Sequence, residues 1–197
     1  YLRDFFIAIY LGSGPLADAF FVAFRIPNTF RRLFSEGTFN AAFVPYYSSE
    51  LLKGKREANS FANSIFNLLV LGLFFTILLI EIFMPSFIKL IAPGFSNEKE
   101  KLNIAIDLTR ITFTFLFFIS LASFFSAILN SHNKFATAAA APIILNVLLI
   151  ICLLFSENLQ DNLVYMLSYV ITFAGILQFI FLLIFVKKYF VCLLYTS

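Results

Sequence analysis

The sequence predicts an all-α fold: a polytopic transmembrane helix bundle of six helices, the first of them truncated. Three observations carry this. First, of 197 residues 61% are hydrophobic and 13% charged, with a mean hydropathy of +0.93, whereas a soluble domain is about half apolar and about a quarter charged. Second, apolar segments recur along the chain, and all but the first have the ~20 residues that a membrane helix needs. Third, the polar loops between those segments alternate in charge.

The first segment runs from about Tyr1 to Leu11 and reads as the second half of a helix, because "YLRDFFIAIYL" is apolar from its start. The chain does not open with Met and shows no signal peptide, so the reading expects a fragment whose first residues are missing. "GSGP", Gly12 to Pro15, is a turn by composition. The second segment, from about Ala17 to Leu52, is expected to be interrupted. Pro27 denies an N–H to the Ala23 carbonyl and should bend or break the helix, and Gly37 is a second weak point. "KGKRE", Lys53 to Glu57, links it to a long third segment from about Asn59 to Ile91, long enough to extend beyond the bilayer. "APGFSNEKEK", Ala92 to Lys101, is a loop. The fourth segment runs from about Leu102 to Leu129, and "NSHNK", Asn130 to Lys134, is a short turn. The fifth runs from about Ala136 to Phe155. "SENLQDN" separates it from the sixth, about Leu163 to Val186. No repeat of 20–50 residues is visible.

If each segment crosses once, "KGKRE", "NSHNK" and Lys187-Lys188 share one side, with Glu57 as the lone acid among them. On the other side, Lys99 and Lys101 are matched by Glu98 and Glu100, and Glu157 and Asp161 add acids. Lys and Arg are retained on the cytoplasmic side. The basic side, and the N-terminus with it, is therefore expected to be cytoplasmic.

Charges at membrane depth are costly and usually face a bundle interior or a watery cavity. Here they cluster. Arg3 and Asp4 lie in the first segment; Asp18, Arg25, Arg31, Arg32 and Glu36 lie in the second. On a straight helix Asp18, Arg25 and Arg32 are seven residues apart and line one stripe with Thr29 and Glu36, while Arg31 points about 100° away. The break expected at Pro27 leaves the placement of Arg31 and Arg32 open. Two readings stand. Arg31 and Arg32 snorkel to an interface and Arg3 simply pairs with Asp4, or the arginines line a cationic cavity that receives an anion. Arg suits phosphate and pyrophosphate, because its planar fork donates in pairs. Elsewhere, Glu81 reads as an interfacial acid and Asp107–Arg110 as an i,i+3 salt bridge. His132 reads as a surface residue, and Asn67, Asn146 and Gln178 as bonds between helices.

Cys152 and Cys192 both lie in apolar runs, which argues against a disulfide framework or a metal site. No Walker A loop, GxSxG or His/Cys metal spacing occurs. The reading is therefore a transporter and not an enzyme, with no cofactor and no metal. The net charge of +3 does not suggest nucleic acid as a partner.

The run "RDFFIAIYLGSGPLADAFFVAFRIPNTFRRLFSEGTFNAAFVP", Arg3 to Pro45, resembles the MurJ (MviN) lipid II flippases of the multidrug/oligosaccharidyl-lipid/polysaccharide exporter superfamily. "APGF" at Ala92 to Phe95, "ITFTFLFFISLASFFSAILNSHNKF" from Ile111 to Phe135, "AAAPIILN" ending at Asn146, and "GILQ" at Gly175 to Gln178 continue the resemblance to about Lys188. It implies that residues 1–188 are the N-terminal lobe of a MATE-like flippase whose C-terminal lobe is missing from this chain. Residues 189–197 form a tail whose native origin is left open. The implied function is alternating-access translocation of lipid II, the undecaprenyl-pyrophosphate-linked peptidoglycan precursor, with a cationic cavity holding the pyrophosphate.

Carried over by motif, the resemblance implies that Arg3 and Arg31 are cavity arginines. Asp18 is the acid at the outer end of the same cavity, and Ala8 is a small lining residue. Arg25, Arg32 and Glu36 join them on the stripe argument or the motif. The implied partners are lipid II, membrane lipids, the missing lobe and cell-wall synthesis proteins. Two alternatives stay open: another exporter of the superfamily, for a lipid-linked oligosaccharide or a drug, and a non-transporting scaffold of a cell-wall complex.

Overall fold

A computed structural model describes residues 2–12, 14–36, 38–155 and 162–190, with the side chains of residues 2, 30, 31, 33–36, 38 and 96 outside that description. The helices in chain order are α1 (Leu2–Leu11), α2 (Pro15–Glu36), α3 (Thr38–Lys53), α4 (Lys55–Ile82), α5 (Met84–Ile91), α6 (Lys99–Ser131), α7 (Phe135–Leu154) and α8 (Leu163–Val186), with a 3-10 turn at Pro93–Asn97 before α6. By length and composition, α4, α6, α7 and α8 can each cross a membrane.

The expected six segments are all helical, but two are divided. The second divides beside Gly37, where α2 ends at Glu36 and α3 begins at Thr38. It does not divide at Pro27, which lies inside α2. The third divides at Phe83, ahead of Pro85 in the first turn of α5. Pro85 can donate no N–H to the Glu81 carbonyl, and its ring crowds that carbonyl. α5 then lies as a separate amphipathic helix of about two turns, with Met84 and Ile88 buried and Lys89 exposed.

α6 is the axis of the bundle. Its 33 residues are about 50 Å long at 1.5 Å per residue. Every residue from Ile119 to Leu129 is buried, as expected of a helix that is apolar all round. α2, α3, α4, α5, α7 and α8 all pack on it. Helices in a lipid solvent gain little from apolar burial against one another, so close fit and hydrogen bonds hold them. Both are visible. A Cβ placed on Gly175 of α8 would lie 2.6 Å from Phe115 Cδ2 of α6, so the glycine permits the approach. Thr172 of α8 donates to the Ile111 carbonyl oxygen at 2.8 Å, and Thr112 of α6 donates to the Ala23 carbonyl oxygen of α2 at 3.0 Å. The phenylalanines fill the spaces between: Phe124 of α6 lies 5.1 Å from Phe43 of α3, 5.5 Å from Phe66 of α4 and 5.8 Å from Phe190 beyond α8, centroid to centroid.

The loops fall at the ends that alternation expects. Tyr47 Oη, near the end of α3, lies 3.3 Å from His132 Nε2 in the α6–α7 turn, and the His132 ring stacks on Tyr189 after α8. The three basic loops therefore share one end. At the opposite end Lys101, opening α6, meets Asp18, near the start of α2.

The expectations for isolated polar residues need revision. His132 is not a free surface residue but is partly buried between Tyr47 and Tyr189. Gln178 and Asn146 bond to carbonyls of their own helices, at Ala174 and Pro142, and Asn67 is exposed. Arg110 lies 3.7 Å from Glu81, so α4 and α6 share an ion pair there, while Asp107 is exposed.

Candidate functional site: the polar face of α2

α2 has two unlike faces. Ala19, Phe20, Ala23, Phe24, Ile26 and Pro27 are buried, while Asp18, Arg25, Thr29 and Arg32 are exposed. The buried face lies on α6 because its residues are small or flat. The exposed positions recur at intervals of seven, four and three residues, so they form one stripe along a 3.6-residue helix. That is the stripe of the straight helix, and Pro27 does not disrupt it. The carbonyl that Pro27 leaves without its helical partner, at Ala23, accepts from buried Thr112 instead. One turn on, Thr29 Oγ1 bonds back to the Arg25 carbonyl at 2.9 Å.

The stripe is about two thirds as long as a bilayer's hydrocarbon core is thick. From Asp18 to Arg25 is about 10 Å and from Asp18 to Arg32 about 21 Å, at 1.5 Å per residue. Arg3 of α1 reaches α2 at the same depth. Its guanidinium carbon lies 5.5 Å from the centre of the Phe24 ring, a cation–π contact with the buried face of α2 and not with the stripe. The depths agree: Arg3 is eight residues before the end of α1 and Phe24 nine after the start of α2, about 12 and 14 Å from the same end of the bundle. Arg3 also pairs with Asp4 at 2.6 Å, as the simpler reading of that dipeptide expected. Ala8, one turn beyond on α1, is exposed and small.

At the end of the stripe, Asp18 Oδ2 lies 2.7 Å from Lys101 Nζ, and the same ammonium sits 4.5 Å from the centre of the Phe95 ring. The sequence reading matched Lys101 with its neighbouring acids, Glu98 and Glu100, and so missed this pair. The signal present was the turn "GSGP", which returns α2 beside the loop that precedes α6. With Asp18 paired to Lys101, the described stripe beyond it carries Arg25 and Arg32, while Arg3 on α1 is paired with Asp4. Arg31 and Glu36 lie on α2, but their side chains are outside the described residues.

Among the described residues no cluster of His, Cys, Asp or Glu could hold a metal ion. What the face can do is bind an anion. A guanidinium midway through a hydrocarbon core ~30 Å thick is costly to leave against lipid and is usually turned to a protein-lined or wet space.

A family model described as "Lipid II flippase MurJ" matches residues 7–195. Among the relatives, a protein of Rickettsia prowazekii (strain Madrid E) named "Probable lipid II flippase MurJ" is 44% identical over 188 residues, covering 95% of this chain and 37% of the relative. One of the same name from Rhizobium tropici is 39% identical over 183 residues, covering 90% and 34%. A solved structure titled "Lipid II flippase MurJ, inward closed conformation" superposes with a TM-score of 0.76 at 30% identity, covering 95% of this chain and 39% of that one. This chain thus spans a little over a third of the length of these relatives.

Proposed function

This chain belongs to the MurJ lipid II flippase family, and from that membership we propose that the whole protein of which it forms part moves lipid II across the bacterial cytoplasmic membrane by alternating access. The end of the bundle bearing Lys53, Lys55, Arg56, Lys134, Lys187 and Lys188 is the cytoplasmic one, and Asp18 and Lys101 lie toward the outside. The site is the polar face of α2 with the neighbouring part of α1. Arg3, Arg25, Arg31 and Arg32 bind the pyrophosphate, Asp18 and Glu36 bound the cationic stretch, and Ala8 leaves room for the substrate. Binding and release need no bond to be made or broken, so the proposal is a transporter without catalysis.

One observation carries the reading. Asp18, Arg25, Thr29 and Arg32 form one exposed stripe along α2, and Arg3 of α1 reaches the Phe24 ring of the same helix. Such a face is stable only against a further part of the protein or a polar cavity, and a paired fork of guanidiniums is the donor set that a pyrophosphate accepts. The test is complementation of a flippase-depleted cell by the full-length protein, with lipid II measured in the membrane. Arg25→Ala and Arg31→Ala should fail and accumulate lipid II, while Arg110→Ala, whose partner is Glu81, should grow. Full growth of both cavity variants would overturn the assignment.

A further inference from the structure

We propose that the junction of α6, α7 and α8 is a binding site for a single internal water molecule. The observations are independent of the polar face of α2. A small cavity of about 20 Å³ lies there, lined by Ser123 and Ser126 of α6, Ala138 and Pro142 of α7, and Gln178 and Leu182 of α8, among others. Gln178 is fully buried. Its Nε2 donates to the Ala174 carbonyl, but among the described residues its Oε1 has no hydrogen-bond partner. An unpaired buried amide oxygen carries its full desolvation cost, and in native proteins such atoms are almost always satisfied.

The cavity supplies further acceptors. Pro142 has no N–H for the Ala138 carbonyl, and both residues line the space. Ser123 uses its hydroxyl hydrogen on the Ile119 carbonyl, which leaves its lone pairs for the cavity. Gln178 Oε1, the Ala138 carbonyl and Ser123 Oγ all accept, so the occupant must donate. One water needs about 10–15 Å³ and two to four polar partners; this cavity meets both conditions and has no room for two. A bare cation is the poorer occupant. The lining contains no carboxylate, and an ion taken out of water needs charge to compensate it. The water joins three helices within about 12 Å of their His132 end, where α7 carries its proline.

The test uses the full-length protein in lipid nanodiscs and X-ray radiolytic hydroxyl labelling read by mass spectrometry. Radicals generated inside the membrane arise from bound water and mark the side chains beside it. Leu182 and Ile119, which line the cavity, should label several-fold more than Leu149 and Leu167, which are equally buried elsewhere. Gln178→Leu should abolish the difference, and Ser126→Ala serves as a second variant if that one does not fold. Labelling of Leu182 and Ile119 no higher than that of the two controls overturns the proposal. So does a label that disappears when sodium replaces choline in the buffer, which would assign the cavity to a cation.

Discussion

Thr112 Oγ1, buried on α6, donates a 3.0 Å hydrogen bond to the Ala23 carbonyl oxygen of α2, the carbonyl that Pro27 leaves without its helical N–H. The proline is therefore matched by a partner on the neighbouring helix, and α2 runs on to Glu36 with its polar face intact. Thr112→Val removes the donor while keeping the shape. It should destabilise the full-length protein by about 1–2 kcal/mol, the range for a buried acceptor left unpaired between membrane helices. Thr109→Val is the control, because that hydroxyl only returns to its own helix, at Ala105. Unfolding midpoints in detergent compare the two, and equal losses would show that the Ala23 carbonyl does not depend on Thr112.

Gly175 sets how closely α8 approaches α6. A methyl group there would sit 2.6 Å from a ring carbon of Phe115, itself fully buried. Gly175→Ala should cost about 1–3 kcal/mol as overpacking. If the ring is the obstacle, Phe115→Leu should reduce that cost in the double variant, a coupling that thermal denaturation of the four proteins measures. Strictly additive losses would place the obstacle elsewhere.

The Thr112–Ala23 bond also shows what could be read from the sequence and what could not. The helical segments, the alternation of the loops and the exposed stripe of α2 follow from local pattern, so they were legible from residues alone; the helix count was not, since six were expected and two of those segments divide to give eight. Pro27 was legible as a chemical defect, but its remedy is Thr112, 89 residues along the chain from the Ala23 carbonyl that it serves, and a bend was the natural expectation. Pro85 carried an equally local signal that the reading of one long third helix passed over, and there the helix divides at Phe83. Lys101 was assigned to the acids beside it because neighbours in sequence are visible and neighbours in space are not. Gln178 was read as an interhelical bond on its polarity. Its amide turns back on its own helix instead, and only the packing of three helices around it explains the atom left over.

Asp18 and Lys101 join the start of α2 to the start of α6 at one end of the polar face. Lys101→Met leaves Asp18 without its cation and is expected to impair complementation while leaving the folded protein intact. Exchanging the two, Asp18→Lys with Lys101→Asp, restores the contact with its polarity reversed and should recover growth if the pair acts as a link between helices. A folded but inactive exchange variant would show instead that the carboxylate has a role of its own at the mouth of the face, as the family resemblance implies for Asp18.

His132 ties three elements together, lying 3.3 Å from Tyr47 Oη and stacked 4.4 Å from the centre of the Tyr189 ring. Burial, and then the charge of Lys55, push its pKa below the usual histidine value. The groups facing it are Lys55 of α4, Tyr47 of α3 and Tyr189 beyond α8, whose ordinary pKa values are about 10, so none of them changes charge between pH 5 and 8. The sign follows. The unfolded chain takes up a proton near pH 6.5, before the folded one does, so stability is lost as pH falls through the folded value and is fully present above about pH 6.5. His132→Phe keeps a ring on Tyr189 but cannot titrate. The thermal midpoint of the full-length protein should therefore fall between pH 7 and pH 5 by more in the native sequence than in His132→Phe. Identical pH profiles would mean that the imidazole takes up its proton as readily in the folded chain as in the unfolded one, and that the contact between Tyr47, His132 and Tyr189 is a packing feature alone.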